Sequence, residues 1–276
     1  MNEQHQNPQG TPSGLPPNIP SGPPLPPLIP TARRYSPGEQ PLGEDAVERT
    51  PIAGVVAAIE AILRQPRRVM FQLKQAKPGG LIGSLLAIAI LCSFVYGIVV
   101  GTFSGGEQYW AAPLKIALGL LISGLICLPS LYIFSCLGGS HARLAEVFGL
   151  VAGLLALMTI LLIGFAPVAW VFSQSTKSVS VMGGLHLAFW MVAVAFGLRF
   201  LAAGFKQMEA KSNGALNTWV VIFLLVCLQM TTALRPILGK SDQFLPSSAE
   251  KKFFIGHWLD CIDQEAKDTS PNKTQR

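Results

Sequence analysis

Charge nearly vanishes from five long stretches of this chain. No Asp, Glu, Lys or Arg occurs between Lys77 and Glu107, Lys115 and Arg143, Glu146 and Lys177, Lys177 and Arg199, or Lys211 and Arg235. A hydrocarbon core of about 30 Å is crossed by roughly 20 apolar residues in helical conformation, and each interval supplies them. The pattern predicts membrane spans at 81–102, 114–137, 146–172, 182–205 and 217–237. Soluble core helices of this length and apolarity are uncommon. Five in succession point to an all-α, polytopic helical membrane bundle.

The flanks follow different rules. Residues 1–47 are rich in proline, densest in Pro23-Pro24-Leu25-Pro26-Pro27-Leu28-Ile29-Pro30. Proline feeds neither helix nor sheet, and few aromatics are present to offset the cost of ordering. The expected state is a disordered tail with polyproline II character, and Pro24 to Pro27 fits a PxxP spacing able to dock in an aromatic groove. Residues 48–77 read as amphipathic. Thr50 is placed to cap a helix with Pro51 at its first position. Ile52, Val55, Val56, Ile59, Ile62 and Leu63 follow on one face. Pro66 then interrupts, and Val69, Met70 and Leu73 form a second short apolar stripe. Basic residues around such stripes suit helices lying in the headgroup region. The five-span domain occupies 78–238. A soluble tail, 239–276, carries a short apolar helix around Phe254, Trp258 and Ile262; the metal-capable His257, Asp260, Cys261 and Asp263 beside it lack a paired repeat.

Composition agrees with the pattern. Half of the 276 residues are hydrophobic, 13% are charged, and mean hydropathy is +0.43; soluble domains carry about 25% charged residues. The net charge of +6 comes from basic residues flanking apolar runs, where they act as topology signals rather than nucleic-acid contacts. Arg64, Arg67, Arg68, Lys74 and Lys77 form the strongest cluster. They place the N-terminus in the cytoplasm and, with five crossings, the C-terminus outside, as in a bacterial inner membrane. Trp110, Trp170, Trp219 and Tyr109 fall near span ends, where aromatic rings favour the interface. The five cysteines contain no Cys-x-x-Cys, so neither a disulfide framework nor a zinc site is expected.

Candidate chemistry is sparse. Gly97 with Gly101 and Gly149 with Gly153 form GxxxG pairs, which let helix backbones approach closely inside a bundle or across a homo-oligomer interface. Pro129 and Pro167 lie within spans, and broken helices line substrate paths in transporters. Arg199 is the strong charge nearest a span interior, placed to snorkel or to serve a function. Gln229, Thr231 and Thr232 give the last span a polar patch that could meet it. His186, at the start of the fourth span, reads as interfacial. Motifs of rhomboid-type, His-Glu-x-x-His and Walker-type enzymes are missing, so no catalytic residue, metal or cofactor is expected.

Five spans, short loops, a hydrophilic proline-rich tail and the Tyr96-Gly97 step in the first span together resemble the Ypt-interacting-protein (Yip) family and its bacterial relatives, over residues 70–238. The Asp-Leu-Tyr-Gly-Pro signature of eukaryotic members is missing before the first span. The resemblance implies a non-enzymatic membrane scaffold or adaptor that meets the lipid bilayer and recruits protein partners through its tail. It transfers no binding residues. The alternative expectation is a small transporter or permease subunit with its path near the kinked spans.

Overall fold

The computed structural model describes residues 41–104, 108–140, 142–176, 178–208 and 213–233, all helix and connecting turns. Three short helices come first: α1 (Ala46–Arg49), α2 (Gly54–Arg64) and α3 (Pro66–Leu73). Five long ones follow: α4 (Gly79–Ser104), α5 (Gln108–Leu137), α6 (Leu144–Ser175), α7 (Val179–Gln207) and α8 (Asn213–Ala233).

Helices α4 to α7 are long and apolar enough to cross a membrane, at 25 to 32 residues each. At 1.5 Å per residue they reach about 37 to 48 Å, more than the hydrocarbon core requires. The chain is an integral membrane protein. The fifth expected span is helical in α8, but its apolar part, Leu216–Met230, is shorter than the four others. Residues 234–237 of that expected span lie outside the described residues, as do the tail up to residue 40 and the segment 239–276.

The helix α6 is the axis of the bundle. Two thirds of its apolar window is buried, against 33 to 39% for the other three. It packs on α4, α7 and α5, while α8 packs on α5. A helix apolar on all sides has to be surrounded, and α6 has one charged residue, Glu146 in its first turn. Its neighbours each expose an apolar face, including Leu91, Leu125 and Phe196. Those faces suit acyl chains.

A folded collar caps one end. Residues 41–47, assigned by composition to the tail, belong to it: Glu48 is buried, accepts the Gly43 amide and pairs with Arg67. Arg67 also donates to the Pro41 carbonyl. Thr50 does not start a helix. It closes α1, its hydroxyl donating to the Val47 carbonyl, because Asp45 already caps that turn and Gly54, at φ +84°, turns the chain as the first residue of α2. Such a φ is easily taken only by glycine. Pro66 does open α3, and Val69, Met70 and Leu73 are buried together as expected.

The inward face of α2 differs from the apolar stripe. Ala58, Ala61 and Ile62 turn toward the bundle, whereas Val55, Val56 and Leu63 stay exposed. Small alanines let α2 lie close against α4, and close approach fixes its rotation. The collar is tied to the spans by Leu73, seated at Gly149 of α6, and by the Lys74 ammonium donating to the last carbonyl of α7, that of Gln207.

Candidate functional site

The glycine pairs are packing notches inside the chain. A Cβ on Gly97 would lie 2.9 Å from the Pro113 nitrogen and nearer still to its Cα, so α4 and α5 meet backbone to backbone there. Gly149 receives Leu73. Gly153 receives the Phe200 ring, whose Cε1 would be 2.6 Å from an added Cβ. The α7 side answers with notches of its own, Gly197 under Met158 and Gly204 under Leu150. Gly101 is buried as well. In lipid, where apolar surface gains nothing by leaving the tails, such interdigitation is the main cohesive force. Side chains occupy these notches.

The candidate path residues face the other way. Pro129, Pro167 and Gln229 are all exposed, on three different helices. Arg199 is exposed too and makes no hydrogen bond with Gln229. The side chains of Thr231 and Thr232 lie outside the described residues. The polar positions that sequence assigned to a shared interior therefore point outward separately, because α8 leans on α5 while α7 leans on α6.

Buried polarity sits elsewhere. The Tyr96 hydroxyl of α4 is 2.6 Å from His186 Nδ1 of α7, with the rings edge-on at 5.6 Å. His186 Nε2 is buried with no hydrogen-bond partner. If the phenol donates to Nδ1, Nε2 carries the ring proton; if Nδ1–H donates to the phenol, Nε2 is a bare acceptor. Either way a polar ring atom aims into the protein. One turn on, Phe189 stacks on Phe165 of α6 at 4.7 Å. His186 is thus an interior residue and not an interfacial one, since α7 begins at Val179 and carries it two turns down.

Lys115 is the second buried group that sequence reading passed over. It served there as the edge of a charge-free interval, yet it is 0% exposed. The reason is that α5 starts at Gln108, which draws Lys115 into the helix. Lys115, His186 and Tyr96 each lie seven or eight residues from the end of their helix remote from the collar. That is a depth of about 11 to 12 Å. The Tyr96–His186 bond joins α4 to α7 at that depth and restrains their rotation.

Trp219 is the third departure. Trp110, Trp170 and Tyr109 are exposed near helix ends, as interfacial rings are, but Trp219 is fully buried. Its indole N–H donates to the Cys127 carbonyl at 2.9 Å, and it stacks on Phe223 at 5.1 Å. The bond falls two residues before Pro129, in the turn where that proline disturbs the ladder of α5. A tryptophan buried in lipid needs such an acceptor.

No protein-family model matches the chain, and no curated protein and no solved structure is similar to it. Among the described residues no group of three His, Cys, Asp or Glu side chains is placed to hold a metal ion; residues 257–263 lie outside them.

Proposed function

We propose that this protein is a non-enzymatic membrane scaffold or adaptor of Yip-like plan. The observation that supports it is the filling of the bundle. Leu73, Phe200, Met158 and Leu150 occupy the glycine notches between helices, and Pro129, Pro167 and Gln229 face outward from three helices rather than lining a common path. On this reading α8 completes a fifth crossing, the N-terminus is cytoplasmic, the C-terminus is outside, and the membrane is a bacterial inner membrane. The proline-rich segment recruits protein partners, while the collar holds its attachment point rigidly against the spans. Because the GxxxG notches are occupied within one chain, any homo-oligomer would form through the outward faces of α4, α5, α7 or α8.

The test is affinity purification of the full chain in mild detergent, with identification of co-purifying proteins, beside a variant lacking residues 1–40. Loss of specific partners from the truncated protein is the expected result. Equal recovery from both, or solute flux through liposomes carrying the purified protein, would overturn the reading. Reporter fusions at each terminus check the orientation independently.

A further inference from the structure

The strong charge of α7 faces outward and is unmet among the described residues. Arg199 and Lys206 are both exposed and neither makes a hydrogen bond or ion pair among the described residues. The helix itself, from Val179 to Gln207, contains no Asp or Glu. A cation on the lipid-facing side of a span is costly unless it reaches water, headgroups or a counter-charge. Arg199 is eight residues from the collar end of α7, about 12 Å along the axis and two turns further in than Lys206.

Its partner in geometry is Lys206. Seven residues apart, the two sit on one stripe of α7, about 10.5 Å apart along the axis and within about 20° around it. The exposed position between them is Ala203, followed inward by Ala195. Small side chains leave a shallow strip beside the helix that an acyl chain can occupy. By snorkelling toward the collar-end headgroups the long Arg199 side chain would bring its guanidinium toward Lys206. A guanidinium fork and an ammonium converging from two turns of one helix match a phosphate, which takes the fork in bidentate fashion. At the helix end Lys74 of the collar adds a third cation, held by its bond to the Gln207 carbonyl. Lys206 alone would be explained by the negative end of the helix dipole. Arg199, two turns further in, would not.

We infer that the outward face of α7 at the collar end, Arg199 and Lys206 above and below Ala203, is a binding site for the phosphate of an anionic phospholipid, with an acyl chain lying along the alanine strip. The lipid would meet both α7 and the Lys74 tether, so its occupancy would also brace the collar.

The experiment uses full-length protein in mild detergent and an acyl-labelled phosphatidylglycerol, with binding read by fluorescence anisotropy. Each cation near a membrane surface contributes about fivefold in affinity. Arg199→Leu and Lys206→Gln are therefore each expected to weaken binding about fivefold, and the pair about thirtyfold. Arg199→Leu replaces an outward charge by an apolar residue, so folding is expected to persist. Should it aggregate, Arg199→Gln and Lys206→Gln carry the test, with monodispersity on size exclusion as the check. Arg64→Gln and Lys77→Gln remove exposed charge of the same sign elsewhere on the collar and are expected to leave affinity within twofold of the parent, well inside the single-cation effect. Equal losses from these controls would mean diffuse electrostatics and overturn the site. So would equal binding of phosphatidylcholine, or unchanged affinity in the double variant. Displacement by millimolar inorganic phosphate would assign the cations to a free anion and overturn the lipid.

Discussion

Replacing Gly97 by alanine adds one methyl group at the point where α4 and α5 touch, and the structure sets how much that should cost. The methyl would meet the backbone of Pro113, 2.9 Å from its nitrogen. Proline has a fixed φ, and a backbone cannot rotate aside as a side-chain tip can. Overpacking of this kind costs about 1–3 kcal/mol. Against it stands the gain from putting alanine for glycine in a helix, about 0.5–1 kcal/mol. That gain applies equally to Gly83 in the same helix, where an added Cβ would have nothing within 4 Å. The difference between Gly97→Ala and Gly83→Ala therefore isolates the packing, and should be about 1–3 kcal/mol with Gly97→Ala the less stable. Gly124→Ala belongs between them, since its Cβ would meet the Leu155 Cδ1 tip at 3.0 Å, which can shift. Thermal unfolding of the three variants in one mild detergent, followed by intrinsic fluorescence, gives the order directly. If Gly97→Ala melts with Gly83→Ala, the close approach of α4 and α5 is wrong.

Three other perturbations probe the polar contacts. Tyr96→Phe and His186→Leu, singly and together, should show a coupling energy of about 0.6–1.7 kcal/mol, and additive losses would mean the two rings do not bond. Trp219→Phe keeps a ring to stack on Phe223 but removes the donor to Cys127, for a loss of about 1 kcal/mol, while Trp219→Ala should cost about 3–5 kcal/mol; equal melting temperatures for the two would refute the buried placement. Glu48→Gln should loosen the collar by about 1–3 kcal/mol, because Arg67 and the Gly43 amide lose their shared carboxylate. Limited proteolysis should then cut within residues 41–77 sooner than in the parent, and an unchanged cleavage rate would count against the ion pair.

What could be read from the chain was whatever depends on solvent. Long charge-free intervals demand helices in lipid, and α4 to α7 run within a few residues of 81–102, 114–137, 146–172 and 182–205. Pro66 at the start of α3 was equally legible, since proline is favoured in the first helical turn, where its missing N–H costs nothing. Which way a residue faces within the bundle was not legible. Hydropathy gives a helix that is apolar all round no preferred face, so α4 and α5 carry no periodicity from which to infer rotation. Only the pairing of glycine notches with bulky partners fixes it, and that pairing joins residues as distant as Leu73 and Gly149.

The same limit explains why Arg199 and Lys115 exchanged places. Charge-to-charge intervals set both residues at edges, but the expected fourth span, 182–205, ran past Arg199 and put it inside, while Lys115 stayed at the rim of 114–137. An interval fixes only the shortest helix that fits, however, and α5 starts six residues before its interval-derived edge. That extension carries Lys115 into the packed layer with Tyr96 and His186, while the rotation of α7 turns Arg199 to the lipid. The buried phenol–imidazole pair restrains α4 and α7 from within, and Lys115 is buried at a similar depth. An outward arginine two turns above a lysine engages the membrane from without. Remote from the collar the buried phenol–imidazole bond holds helices to one another; at the collar end Lys74 and Ser140 do so, while Arg199 and Lys206 face outward. Loss of the first kind should lower melting temperature in any detergent, whereas loss of the second should show its effect only when anionic lipid is present.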